Sequence, residues 1–348
     1  MEYNEDNIRF EGDSIQDIDS SNTVNGKPVY YWVNQNNMAV PSDVGYIALI
    51  NCSGITVQNV SISNNGQGII LYNTTNSLIT KSKFSNNNGN GIYIISSFNN
   101  FFSENELLGN AKAGVFVWGS SNNTFVQNYI ANNEVDGIIF CNTHDSNIVG
   151  NNITANRAAG ITLDGAKNNV ILGNYVAQNE LGILLYWGTS QTRVIANTMT
   201  ENNGWGMRIE GSKINSTIYH NNFINNKVKE GLQVSIPWPA DANIWDNGSE
   251  GNYWSDYTSR YPKALEVGNT GVGDTPYFIN ENNIDRHPLM TPFDISSVPI
   301  PEWGSPEPQQ PEPFPTTLVA VASITSVVLI SLSLLVYFTH VKRSKRSY

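Results

Sequence analysis

Asparagine stands at positions 64, 87, 110, 133, 156, 179, 202 and 225, at a constant interval of 23 residues. A fixed period of this length marks a solenoid, in which each repeat is one supersecondary unit stacked on the last. A side-chain amide carries two donors and an acceptor with two lone pairs, so stacked copies can hydrogen-bond continuously up a column. The spacing predicts such a structural ladder through Asn64, Asn87, Asn110, Asn133, Asn156, Asn179, Asn202 and Asn225. A second column runs through Asn59, Asn105, Asn128, Asn151, Asn174 and Asn197, with Ser82 filling its gap and His220 replacing the next member. A looser third runs through Asn76, Asn99, Asn122, Asp145, Asn168 and Gln191.

Glycine opens a strand at Gly45, Gly68, Gly91, Gly114, Gly137, Gly160, Gly182 and Gly206, with Gly231 as the expected next member. After each glycine the apolar residues alternate. Val115 and Val117, Ile138 and Phe140, and Ile161 and Leu163 exemplify the inward pairs. Period two means a strand with one buried face. Phe102, Phe125 and Ile148 predict a second strand per turn, and Leu107, Ile130 and Ile153 a third. Three short strands per coil, with Asn or Gly at the bends, describe an all-β, right-handed parallel β-helix of about 23 residues per coil. Leucine-rich repeats need a Leu-dominated consensus, and propeller blades need about 40 residues.

The chain divides into an entry segment with partial coils (1–44), β-helix repeats (45–232), a C-terminal cap (233–293), a Pro-rich stalk (294–315), a transmembrane helix (316–338) and a basic cytoplasmic tail (339–348). The stalk follows from seven of the 15 prolines falling within 299–315, which makes an extended, semi-rigid spacer. Residues 316–338 carry no charge and are long enough to span a bilayer. Lys342, Arg343, Lys345 and Arg346 follow at once, which places them on the cytoplasmic side and the coils outside the cell. The expectation is a single-pass, cell-surface protein. The first ten residues form no signal peptide, which leads to the expectation of a fragment or a misassigned start. Seven glycosylation sequons begin at Asn51, Asn59, Asn73, Asn122, Asn152, Asn215 and Asn247, permissive for a glycoprotein. Asn59 is expected to be buried in a ladder and Asn152 to point outward.

The net charge is −11, and the four bases of the tail leave the rest of the chain near −15. That excludes nucleic acid as a natural partner. Cys52 and Cys141 fall four coils apart, beyond the reach of a disulfide, so no bond between them is expected.

Outward positions of the glycine-led strands line up as well. Tyr72, Tyr93, Phe116, Trp118, Tyr186 and Trp187 group aromatic rings on one face. Sugars stack their C–H faces on such rings, so this is the candidate carbohydrate-binding surface; the competing reading is that loops or another rod cover it. Asp164 and Glu210 share a column two coils apart, or about 9.6 Å at β spacing, near the separation of an inverting glycosidase's carboxyls. Arg208 would be the substrate clamp. These three are weak catalytic candidates, and a hydrolase or lyase is the alternative to a binding protein or a structural contact with the envelope.

Two further blocks break the repeat. Residues 245–257 read WDNGSEGNYWSDY, and GDTPY at 273–277 precedes DRHPLM at 285–290. With GKPVYYW at 26–32 and VPSDVGYIALINCSGITVQNV at 40–60, these blocks resemble the NosD-type β-helix proteins. Those belong to the wider class of carbohydrate-binding and sugar-hydrolase (CASH) β-helix domains, and the blocks resemble anchored archaeal surface proteins in particular. The resemblance covers about 20–293. It implies a sugar-directed scaffold and, through the NosD name, a link to copper-enzyme maturation. The residues argue against copper itself, since His144, His220, His287 and His340 are scattered. Physically the end blocks read as an aromatic lid on the last coil. Asp246, Asn247, Glu250, Asp256 and Asp274 offer the oxygen ligands calcium would need; no other cofactor is implied.

Overall fold

The computed structural model describes residues 7–8, 16–211, 215–227, 231–237 and 242–302. The expected membrane helix and tail lie outside them, as does the stalk beyond residue 302. No helix among the described residues is long and apolar enough to cross a membrane.

Three sheets of eleven, eight and nine strands wrap one core, parallel throughout except for Thr23–Val24, which pairs antiparallel at the start of the first. In the first sheet Val115–Trp118 pairs in register with Ile138–Cys141, and that strand with Ala159–Asp164. The second stacks Phe101–Ser103 on Thr124–Val126, and the third stacks Glu106–Leu108 on Tyr129–Ala131. Strands of three or four residues suffice because each is buried on its inner face and paired on both edges. Every predicted inward residue of the three series named above is fully buried. Phe102 and Phe125 stack with ring centroids 4.6 Å apart. Glycine opens the first-sheet strands because there is no room for a Cβ. At Gly114 it would fall 2.5 Å from the Ile130 side chain and 2.8 Å from the Gly137 carbonyl.

The amide ladders form as expected through the middle of the stack. Asn110 Oδ1 accepts from the backbone N and Nδ2 of Asn87, at 3.1 and 2.9 Å. Asn110 Nδ2 donates upward to Asn133 Oδ1 at 3.0 Å and back to the Phe84 carbonyl at 3.1 Å. All four hydrogen-bonding valences of the amide are used, so a fully buried polar group carries no desolvation deficit. Asn133 repeats the pattern to Asn156.

The ends of the ladders differ from the expectation by one residue. Asn65, not Asn64, donates to Asn87, and Asn226, not Asn225, accepts from Asn202. Asn64 and Asn225 instead hold the left-handed conformation, at φ 58° and 47°. The same correction moves the second ladder from Asn59 to Val60 and from His220 to Asn221. Asn59 is therefore exposed, not buried. The third predicted column, from Asn76 to Gln191, consists wholly of left-handed residues, and its buried ladder is the next position, through Ser77, Asn100, Asn123 and Ser146. Each bend thus needs two consecutive residues, one to turn the chain and one to satisfy it. Asparagine suits both, for different reasons. Coil length varies from 22 to 24 residues at the ends, which is why a strict period of 23 selects the wrong partner there. Gly231 is likewise not the next strand-opening glycine; Gln233 fills that place, pairing with Gly206 and accepting the last bond of its ladder through Oε1.

Residues 243–293 continue the columns rather than ending them abruptly. Tyr253–Trp254 adds a strand to the third sheet. Trp254 stacks on Phe223 at 4.4 Å and on Tyr277 at 4.1 Å, so the core's aromatic column runs on through them. The second ladder passes from Asn221 to Asn252 and ends on Asp285. Asp285 Oδ2 accepts from Asn252 N at 2.7 Å and Trp254 Nε1 at 2.9 Å, and its Oδ1 accepts from His287 N at 3.1 Å. Gly251 is required beside it, since a Cβ there would overlap the carboxylate.

Replacing Asn133 by Ala strips acceptors from two buried donors of Asn110 and is expected to cost about 2–4 kcal/mol. Asn132→Gly, at the exposed left-handed position, should stay within about 0.5 kcal/mol. Thermal unfolding followed by circular dichroism checks both. Burial pushes the Asp285 carboxyl up to about 6 from 3.8, against the donors that pull it down. The folded chain then binds a proton the unfolded chain does not, so this group's contribution falls as pH rises from about 4 through about 6. Melting temperatures of Asp285→Asn across that window should show a shallower decline than those of the parent.

Candidate functional site

The first sheet brings the predicted aromatic residues onto one face, in two groups. Tyr72, Tyr93, Phe116 and Trp118 come from consecutive coils through the register Tyr72↔Ile95↔Trp118 and Tyr93↔Phe116. Tyr186 and Trp187 lie three coils beyond Trp118. Side chains at these positions point outward because their neighbours in sequence, at period two, fill the core.

Exposure separates the groups further. Tyr72 and Tyr93 pack against a small second cluster of Val24, Val29, Tyr31, Tyr46, Ile50 and Ile70. Outward residues of the first coils are thus covered by the chain's own entry segment, with Ile8 accepting at its carbonyl from Gly66 N at 2.8 Å. Phe116 leans on Tyr93 with centroids 5.6 Å apart. The competing reading, that loops cover this face, holds for that end. Trp118, Trp187 and Tyr186 stand clear, at 52, 50 and 36% exposure. Trp187 sits in the bend after its strand, its ring 3.5 Å from where a Cβ on Gly211 would stand.

Between the two platforms lie Cys141 and Asp164, paired in register. Burial pushes the Cys141 thiol up, and the Asp164 and Asp136 carboxylates add to it. Asp136 is buried at the strand-opening edge, where it accepts from Ala159 N at 2.6 Å. Burial raises its carboxyl, opposed by that N–H and by the Thr162 hydroxyl. Asp136 escapes the sequence reading, although the position before each glycine (Asn90, Ala113, Asp136, Ala159) forms a readable column of its own. Trp205 escapes it too. It lies in the same column, and the Arg208 guanidinium sits 5.2 Å from its ring centroid.

Of the weak catalytic candidates, Glu210 and Arg208 are closed on each other as an ion pair. Arg208 is thereby neutralised beside Trp205 rather than presented as a clamp, and Asp164 lies two coils from Glu210. A polar groove of about 390 Å³ borders the sheet, lined by Glu134, Arg157, Gln178 and Glu180. In it Arg157 pairs with Glu134 at 2.8 Å.

The calcium candidates are not brought together. Asp246 Oδ1 accepts from Gly248 N and its Oδ2 faces Arg286. Asn247 Oδ1 caps Ser249 and Glu250, while Glu250 meets His220 at 2.8 Å. Asp256 accepts from the Tyr277 hydroxyl, and Asp274 from Leu265 N and Thr275. Among the described residues no three His, Cys, Asp or Glu side chains are grouped to hold a metal ion. His144 Nδ1 accepts from Lys167 N, as a bend residue would. Cys52 and Cys141 are both free.

A coiled stack of three parallel sheets with an outward aromatic face defines a β-helix scaffold. Residues 45–199 and 148–252 match the family described as right handed beta helix region, and the chain belongs to that family. No curated protein matches the sequence. Among solved structures it is similar to the periplasmic alginate epimerase AlgG, with a TM-score of 0.50 at 18% identity over 56% of this chain and 49% of that one. It thus spans about half that protein's length. A mannuronan C-5 epimerase A-module from Azotobacter vinelandii gives 0.39 at 18% identity, covering 56% of this chain and 63% of that one. The Dettilon tailspike protein gives 0.42 at 17%, covering 65% and 59%. These likenesses speak to the fold alone, and the last two superpose too loosely to carry more.

Removing the charge at Asp164 should let the nearby thiol ionise more readily. Asp164→Asn is expected to speed iodoacetamide alkylation of Cys141 roughly two- to fivefold at mildly alkaline pH, with buried Cys52 unreactive in both proteins. Peptide mapping by mass spectrometry reads both sites.

Proposed function

We propose that this chain is a cell-surface β-helix, held to the membrane by 316–338, that binds a carbohydrate chain along the outer face of its first sheet. The observation that carries the reading is the trio of exposed rings, Trp118, Tyr186 and Trp187, gathered along one side of the first sheet. Large exposed rings grouped on a flat sheet are uncommon without a partner. They offer apolar stacking surfaces for pyranose rings, while Asp164 and the backbone of the bends offer hydrogen bonds to hydroxyls. From Trp118 to Tyr186 is three strand steps, about 14 Å, so a chain laid along the axis could rest on both platforms at once. Strand spacing and the length of a sugar unit are similar, which suits a periodic polymer to a periodic sheet.

The reading also draws on the motif blocks that resemble NosD-type and CASH β-helices, and on fold likeness to a periplasmic alginate epimerase. It needs no bound cofactor. The aromatic column of Trp254 and Tyr277 over Phe223 supports the end blocks acting as a cap that shields the last coil from water and from edge-to-edge pairing. The pairing of Glu210 with Arg208 gives the hydrolase or lyase alternative less to work with.

Trp118→Ala and Trp187→Ala are expected to reduce retention on a glycan array roughly five- to thirtyfold each, with melting temperature unchanged. Stacking of one sugar ring contributes on the order of 1–2 kcal/mol. Unaltered retention in both variants removes the face from consideration.

A further inference from the structure

We infer that this face selects uncharged polysaccharide and rejects polyuronates, a conclusion that rests on the glycan-binding reading of the same residues. The inference comes from the charges between and around the platforms. Asp164 lies on the path from Trp118 to Tyr186, and Asp136 is buried at the strand-opening edge, where it accepts from Ala159 N. Glu210 ends the column on the far side of Tyr186, and Glu134 and Glu180 line the adjoining groove.

Against these acids stand Arg208, Arg157, Lys112 and Lys167, the last exposed in the bend three residues past Asp164. Arg208 is ion-paired with Glu210, while Arg157 pairs with Glu134 through one nitrogen at the groove and stays largely exposed, away from the strands that carry the rings. Lys112 stands exposed at the entry edge. No outward position of the strands Ile92–Ile95, Val115–Trp118, Ile138–Cys141 or Ala159–Asp164 carries Lys or Arg. A polymer with one carboxylate per sugar, laid along the axis, would bring its charges past Asp164. It would find repulsion where an anion-binding protein sets Arg or Lys. A neutral chain meets stacking rings and acceptor oxygens that match its hydroxyls, with no like-charge cost.

The test compares matched hexasaccharides that differ only in oxidation at C6: glucan with glucuronan, mannan with mannuronan, and galactan with galacturonan. Each is titrated calorimetrically into the full-length chain in a neutral detergent, at low and high salt. For whichever backbone binds, the uncarboxylated member is expected to bind roughly tenfold more tightly at low salt. The gap should narrow in high salt and in the double variant Asp136→Asn, Asp164→Asn. Trp118→Ala should weaken both members together, which ties the difference to this face. Equal or tighter binding of a carboxylated member overturns the inference and leaves glycan binding standing. So does a gap that neither salt nor the double variant changes, since shape rather than charge would then be responsible. Failure of every pair to bind overturns the glycan-binding reading, and the inference with it.

Discussion

The structure depends on a buried amide that has no unmet valence. In mid-stack Asn110 accepts two bonds from the coil below, gives one to the coil above and returns one to a strand carbonyl, as Asn133 does in turn. A shorter hydroxyl can take part, as Ser82 and Ser97 do, but it bridges fewer groups. Bends bury backbone N–H groups that no sheet can satisfy, and such groups are costly when left alone. The amide resolves that problem once per corner per coil. The three-sided core follows, because the strands between corners are then free to turn alternate residues inward.

The ladders also have a direction. Donors point toward the C-terminal end at every step, so the last coil must supply acceptors only. Gln233 Oε1, Asn283 Oδ1 and the Asp285 carboxylate do so. Trp245 Nε1 and Trp254 Nε1 share two of these acceptors. The polar termination of the ladders and the aromatic termination of the core are therefore one arrangement. Asp285 is buried for that reason, with the strained protonation that burial brings. The outward side of the first sheet bears none of these obligations. Its residues vary from coil to coil, which is what allows rings and acids to be collected there.

Much of this was legible from the sequence, and the misses are instructive. Interior residues such as Ile138 and Phe140 could be assigned because period two and period 23 agree on them. Asn110, Asn133 and Asn156 were correctly stacked for the same reason. Asn64 and Asn225 were not, because two asparagines in succession (Asn64–Asn65 and Asn225–Asn226) do different work, and composition alone does not say which turns and which bonds. At the face, sequence could show that Tyr72 and Trp118 share a column. It could not show that Tyr72 is packed by the entry segment while Trp118 is bare, since that depends on contacts from distant residues. Arg208 looked like a clamp because its partner, two residues on, is a contact that only side-chain geometry reveals.

After the last aromatic layer the chain turns back along the outside of the stack. Phe293 lies flat on His220 at 4.2 Å, and its backbone exchanges two bonds with the Asn222 side chain. Val298 then rests at Gly173 and Ile300 at Gly150, corner positions whose missing side chains leave a notch. This run touches coils that are far apart in sequence and so acts as a fixed gauge along the axis. Solenoids commonly lengthen or shorten by duplicating or losing whole repeats. Here any such event between residues 150 and 222 would misalign the run with its notch, so copy number in that half of the molecule is constrained.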